Sequence, residues 1–428
     1  MRKHIAILPA FLLCSLTLIL QVGGKGQSQV KREASPAAAA KQIAIRCGRL
    51  IDGKGGEAIP NAVVIISGDR IAAVGRDLRI PADAQVIDLS RATVLPGLID
   101  THTHLTYHYD TQPNEKASIT AVYAAENARL TLAAGFTTVR NLGAGDGVDL
   151  DLRKAINQGA TPGPRILASG APLFRPPGSA SGSPSDEEAG DARIARIREF
   201  VRKQIDAGAD VIKVFVTPGA GGGDRLLYSE EEVRAVADEA ARAHLRVAAH
   251  AHATAGIKAA VRGGVASVEH GSKLDDEAIK LMIERHTALV PTLYLPNHYL
   301  AHREKFGFDD ARWQALDELK TQAMKNFHRA LAAGVWIVMG SDAVAGLHGE
   351  NAKELEWMVK AGLTPAQAIR AATADAAQLL GWQDRVGSLE AGKFADLIAV
   401  TGDPLKDITE LQRVRFVMKG GQVFKAEK

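Results

Sequence analysis

The stretch VLPGLIDTHTHL, residues 94–105, closes an apolar run with two histidines, His102 and His104, one residue apart. In a strand, residues i and i+2 share a face roughly 6.5 Å apart along the chain, so both rings can reach one ion. Taken alone, the pair equally suits hydrogen-bonded histidines at the end of a buried strand. Other residues of the same chemistry follow. His250 and His252 repeat the spacing in VAAHAHA, His270 lies in VEHGS, and Asp342 lies in MGSDA. Neutral imidazole and carboxylate are the ligand types of zinc sites. A carboxylate beside a metal-activated water can also take its proton, which makes Asp342 a candidate general base. A lone aspartate at a strand end otherwise reads as a helix cap. Lys213 is odder, flanked by Val211, Ile212, Val214 and Phe215. A charged lysine in such a strand is costly unless paired. Burial favours its neutral, nucleophilic amine. That amine can take up carbon dioxide as a carbamate, whose two oxygens can bridge two metal ions. The competing reading is a structural ion pair, for example with Asp342.

The elements that must position these residues are short apolar segments with polar ends. Eight are strand candidates: LPGLIDTHTH, TTVRNLG, PRILASG, DVIKVFV, LRVAAHAH, ASVEHG, ALVPTL and WIVMGSDA. Helical stretches alternate with them, such as ITAVYAAENARLTLAAG and SEEEVRAVADEAARAH. The second opens with Ser229 and has Glu232 three residues on, a capping-box start. Eight such units predict an α/β fold, a (β/α)8 TIM-like barrel over residues 97–385, with its active site at the C-terminal strand ends. Five of the 13 histidines fall at those ends, which ties the pattern to chemistry. Asp100 is expected to support the site by orienting a histidine ring. Residues 42–96 and 386–428 are rich in Val and Ile broken by Gly, Asp and Pro, and predict short strands. They are expected to pair into one small β-sandwich, with the barrel inserted between them. LFRPPGSASGSPSDEEAGD, residues 173–191, follows the third strand and reads either as a lid or as a plain insertion.

Composition narrows the function classes. The chain is 46% hydrophobic and 24% charged with a formal net charge of +3, the balance of an ordinary globular protein. No basic stripe with interleaved aromatics is present, so nucleic acid is not an expected partner. Residues 1–24 have a basic start, an apolar run and small residues, the layout of a signal peptide. Residues 25–41 read as a linker. The expectation is export, periplasmic or secreted, with no stable membrane contact after processing. The alternative is an N-terminal membrane anchor, since the run approaches the roughly 17-residue minimum of a span. Cys14 lies in the leader, leaving Cys47 as the only thiol beyond it, which excludes an internal disulfide and a Cys-rich zinc site.

In order, LPGLIDTHTHL, VIKVF, VAAHAHA, VEHGS and GSDA resemble the metal motifs of the amidohydrolase superfamily. GSLEAGKFADLIAV looks like that family's return into its β module, and GLTPAQAIRAAT like its last helical segment. The resemblance covers about residues 42–425 and is nearest to the imidazolonepropionase-like branch, with members similar to bacterial Xaa-Pro dipeptidases and metal-dependent carboxypeptidases. It implies two zinc ions per subunit bridged by a carboxylated Lys213. One would be held by His102, His104, Lys213 and Asp342, the other by Lys213, His250 and His270. It implies a hydroxide between the ions, Asp342 as general base, and Asp342 and His270 as the catalytic residues. His252 then becomes a substrate contact. The implied substrate is a dipeptide or N-acyl amino acid with a free carboxylate. Tyr107, His108 and Tyr109 are candidates for the pocket wall, and Tyr228, His348, Arg225, Tyr294 and His298 for further substrate contacts. His4, His244, His286, His302 and His328 read as structural or solvated. The rivals are a one-metal hydrolase of a cyclic amide, with Lys213 unmodified, and a non-catalytic binding barrel. A homo-oligomer is left open.

Overall fold

The computed structural model of the chain describes residues 42–109, 111, 115–174, 190–219 and 222–427. The expected leader and linker, and residues 175–189 of the insertion, lie outside the described residues. In chain order the strands are β1 (Ile43–Leu50), β2 (Ile59–Pro60), β3 (Ala62–Ser67), β4 (Arg70–Arg76), β5 (Gln85–Pro96), β6 (Leu98–Thr103), β7 (Phe136–Asn141), β8 (Arg165–Ala168), β9 (Val211–Phe215), β10 (Arg246–Ala251), β11 (Ser267–His270), β12 (Ala288–Val290), β13 (Leu397–Val400), β14 (Phe416–Lys419) and β15 (Gln422–Ala426).

The two ends of the chain share one sheet, ordered β15-β14-β13-β5-β1-β3-β4, with β2 on β1. The long strand β5 carries the join, pairing parallel with β1 and antiparallel with β13. The hairpin β14–β15 turns on Gly420 and Gly421 at φ 56° and 75°, the positive angles a tight type I′ turn requires. At the far edge, the amide of Ile71 donates to the carbonyl of Lys393, and that of Ala395 to Asp69. The β4 edge thus meets the segment leading into β13. The two terminal segments thus form a single sheet curled over one core. Period-two alternation fastens this sheet to the rest. Leu397, Ala399, Phe416 and Met418 face the sheet's own core, together with Cys47. Their neighbours Ile398, Val400 and Val417 belong to the central core.

The middle of the chain alternates strands and helices. β6, β7 and β8 pair in parallel, as do β9, β10, β11 and β12. The capping box at Ser229 is present, with the Glu232 carboxylate accepting from the Ser229 amide at 2.7 Å and the Glu232 amide donating back to the Ser229 hydroxyl at 3.3 Å. Leu173, beyond the end of β8, bonds β9 at Lys213 and Phe215, and the Asp210 amide donates to the Ala168 carbonyl of β8. WIVMGSDA, expected as the eighth strand, forms only single bridges, Ile337 to Leu289 and Ala343 to Thr103. Asp342, at φ 53°, interrupts its extended course. These bridges set the segment beside both β12 and β6. No helix among the described residues is long and apolar enough to cross a membrane.

Candidate active site

β6 delivers His102, and His104 follows it. The main chain between β6 and residues 340–342 sets their position. The Asp342 amide donates to the His102 carbonyl at 2.7 Å. A Cβ at Gly340 would collide with Val290 and lie 2.9 Å from the His102 Cβ, so only glycine lets this segment sit so near β6. Asp100 accepts from the amides of His102 (3.1 Å) and Ser341 (2.9 Å) and from Asn351 Nδ2 (2.8 Å). It holds backbone in place rather than orienting an imidazole, which corrects the expectation for it. Burial pushes its carboxyl up to about 6, against the hydrogen bonds from Ser341 and Asn351.

The group that faces the His102 ring is Glu269, which the sequence reading missed. Glu269 Oε2 lies 2.9 Å from His102 Nδ1, and Arg140 Nη2 donates to Glu269 Oε1 at 2.9 Å. Burial raises the Glu269 carboxyl, but Arg140, His102 and Lys213 outweigh it and hold it at about 2. In a regular strand Glu269 and His270 point to opposite faces. His270 has φ 73°, which breaks that alternation and lets neighbouring side chains converge on one centre. The only sequence signal was a glutamate inside an otherwise buried strand.

Two donor groups form. His102, His104 and Asp342 make one, and His250, His252 and His270 the other, with the ligand atoms of each within 4.8 Å of one another. Asp342 Oδ1 is 3.3 Å from His102 Nε2 and 3.1 Å from His104 Nε2. Three rings have an orienting partner on Nδ1: Glu269 for His102, Thr292 Oγ1 (2.7 Å) for His270, and Ser272 Oγ (2.9 Å) for His252. That leaves Nε2 of each ring for the centre, the usual arrangement of metal-binding histidines. Lys213, 1% exposed, places Nζ 3.3 Å from His102 Nε2. Burial brings its amine down to about 8. Burial likewise lowers His102 and His252 to about 4, and His250 and His270 well below the ordinary range. Burial raises Asp342, but His102, His104 and Lys213 hold it down at about 2. The neutral imidazoles of His102, His250, His252 and His270 therefore gather near an ionised carboxylate, a donor set a divalent cation fits. His270, Thr292 and Asp342 all sit at positive φ (73°, 50° and 53°). Such conformations cost about 1–3 kcal/mol each and collect at functional sites.

The centre opens into a cavity of about 590 Å³. Tyr107, His108 and Tyr109 line it. The His108 ring is stacked on Tyr123 and held 2.8 Å from Glu115. Tyr228 does not reach the cavity. The Leu227 amide bonds the Val216 carbonyl, folding the segment back so that Tyr228 is buried in the central core. His348 sits behind the site, with Nε2 3.3 Å from the His104 carbonyl and Nδ1 3.2 Å from Thr131. His298 is tied to the Ala345 carbonyl, Tyr294 to Lys353, and neither they nor Arg225 line the cavity. The wall opposite comes from residues 295–323, where sequence reasoning placed nothing but His298. It contributes Tyr299, Phe306, Phe308, Arg312, Leu316 and Leu319.

The pattern of an amidohydrolase family model matches residues 93–424. The chain belongs to the amidohydrolase family. This amidohydrolase is 36% identical over 425 residues to ochratoxinase of Aspergillus niger, covering 90% of this chain and 87% of the relative. It is 26% identical over 373 residues to imidazolonepropionase of Streptomyces avermitilis, covering 79% and 80%. Among solved structures, a Xaa-Pro dipeptidase with methionine bound in its active site superposes with a TM-score of 0.82 at 34% identity, covering 90% of this amidohydrolase and 100% of that chain. The protein is an enzyme of the class that hydrolyses amide bonds, on a mixed α/β fold like theirs.

Proposed function

We propose that this amidohydrolase cleaves the amide bond of a dipeptide or N-acyl amino acid, using two zinc ions and a carboxylated Lys213. The observation that carries the reading is the convergence of both donor groups beside the buried amine of Lys213. His102, His104, Asp342 and the lysine carbamate would hold one ion. The carbamate, His250 and His270 would hold the other. Bound metal polarises a carbonyl and lowers the pKa of water. Asp342, ionised and facing two imidazoles, accepts the proton of the attacking water and passes it to the leaving nitrogen. His252, fixed by Ser272 and no longer needed as a ligand, points Nε2 at the substrate oxygen. The eight parallel segments are read as a closed (β/α)8 barrel presenting these groups at one rim. The named relatives support an amide with an amino-acid portion.

Metal analysis tests this. About two ions per chain are expected, with activity lost on chelation and Lys213→Ala losing the second ion. Fewer than one ion, with activity surviving chelation, sinks the reading. The complete triad of His250, His252 and His270 favours a second reading, a one-metal hydrolase of a cyclic amide with Lys213 unmodified. One ion per chain and turnover of lactams but not dipeptides would select it. We further read residues 1–24 as an export signal, so that the mature enzyme starts near the linker. N-terminal sequencing of the protein recovered outside the cytoplasm tests that.

A further inference from the structure

We propose that Arg312 recognises the free carboxylate of the substrate, an inference that rests on the amide-hydrolase reading above. Among the described residues lining the cavity, Arg312 is the one permanent cation. It stands in the first turn of the helix Asp310–Ala333, whose cap Asp309 accepts from the Arg312 amide at 2.8 Å. Its Cζ lies 3.7 Å over the centroid of the Phe308 ring. Phe308 packs in turn against Tyr299, Phe306 and Trp313, at 5.4, 5.6 and 5.0 Å between centroids. Backbone and guanidinium are thus both held. Nearby arginines are taken: Arg303 by Asp310 at 3.0 Å, and Arg329 by Asp276. The Arg312 guanidinium makes no ion pair or hydrogen bond with a described residue. It offers a planar fork of donors, the shape that matches a carboxylate.

Tyr299 connects this end of the cavity to the reaction centre. It lines the same cavity as Asp342 and Arg312, and its ring centroid lies 5.4 Å from that of Phe308, on which the Arg312 guanidinium rests. The wall around it is aromatic and aliphatic, formed by Phe306, Phe308, Leu316 and Leu319. A substrate anionic at one end and apolar along its side matches this order. The carboxylate meets Arg312, the apolar side chain lies on the wall, and the amide carbonyl reaches Asp342. The class so assigned is amides of an apolar or aromatic amino acid whose carboxylate is free.

The test combines Arg312→Gln, and Arg312→Lys as the conservative change, with acid and amide probes. Phenylalanine and phenylalaninamide are titrated calorimetrically into the metal-loaded protein. N-acetylphenylalanine and its carboxamide are followed as substrates. Wild type is expected to bind phenylalanine about tenfold or more tightly than its amide. In Arg312→Gln that difference collapses, Arg312→Lys recovers part of it, and the loss in turnover falls mainly on KM. Arg312 is exposed, so the melting temperature is expected to hold. An undiminished preference for the acid in Arg312→Gln overturns the inference, and so does a wild type that fails to favour the acid. No hydrolysis by wild type, with the binding difference intact, overturns the proposed reaction and leaves the carboxylate contact standing.

Discussion

At the scale of the residue, the site depends on Glu269 as much as on the histidines. Glu269 joins a buried cation, Arg140, to a metal-ligand candidate, His102. Glu269→Gln keeps the shape and removes the charge, which leaves Arg140 buried without its counter-ion. The expected cost is about 3–5 kcal/mol of stability and roughly 10–100-fold in metal affinity. A graded chelator series with thermal melts measures both, and wild-type metal retention in the variant refutes the orienting role. The histidines were legible because ligand spacing of two residues is a local pattern. Glu269 was not, because its partner His102 lies 167 positions away by numbering, on another strand. Tyr228 misled for the opposite reason. A phenol after a strand end looks like a pocket wall until the chain is seen to fold back beneath it.

At the scale of the element, regularity and function part company at residues 337–343. The segment was legible as apolar and strand-like, but the close approach of Gly340 to β6 and the break at Asp342 depend on contacts with another strand. Gly340→Ala is expected to cost about 1–3 kcal/mol, the usual penalty of an overpacked core, and to draw Asp342 away from His102. A denaturant midpoint and a metal assay on one preparation check the two effects together. Wild-type values for both would show that the close approach is dispensable. The turn after β12 has its own clasp. Glu354 accepts from the amides of Leu293 and Tyr294, each at 2.8 Å. Burial pushes its carboxyl up to about 8 from the ordinary 4.5. A carboxyl that titrates higher when folded contributes fully below the unfolded value and loses that contribution as pH rises through the folded one. The stability of wild type relative to Glu354→Gln is therefore expected to fall between about pH 4.5 and pH 8. Melting temperatures of the pair across that range decide it, and a constant or widening margin contradicts it.

At the scale of the whole molecule, both chain ends build one sheet, so the middle cannot be finished before the end is made. That the ends would pair was legible from matching Val- and Ile-rich segments. The single curl was not, because it depends on β4 meeting residues 392–395, a contact no periodicity encodes. A chain ending before Phe416 loses Phe416 and Met418 from one core and Val417 from the other. It is expected to show no cooperative melt by circular dichroism, and a wild-type melt would argue that the sheet is ornamental. The curl has one more consequence. It encloses Cys47, 2% exposed, and burial pushes that thiol up to about 12. Alkylating reagents and oxidants attack the thiolate, so the closed sheet keeps its sulfur silent. Any labelling of a chain lacking residues 1–24, and with them Cys14, must then wait for the sheet to open. The rate of maleimide uptake becomes a stopwatch for that opening, running independently of whatever occupies the histidines.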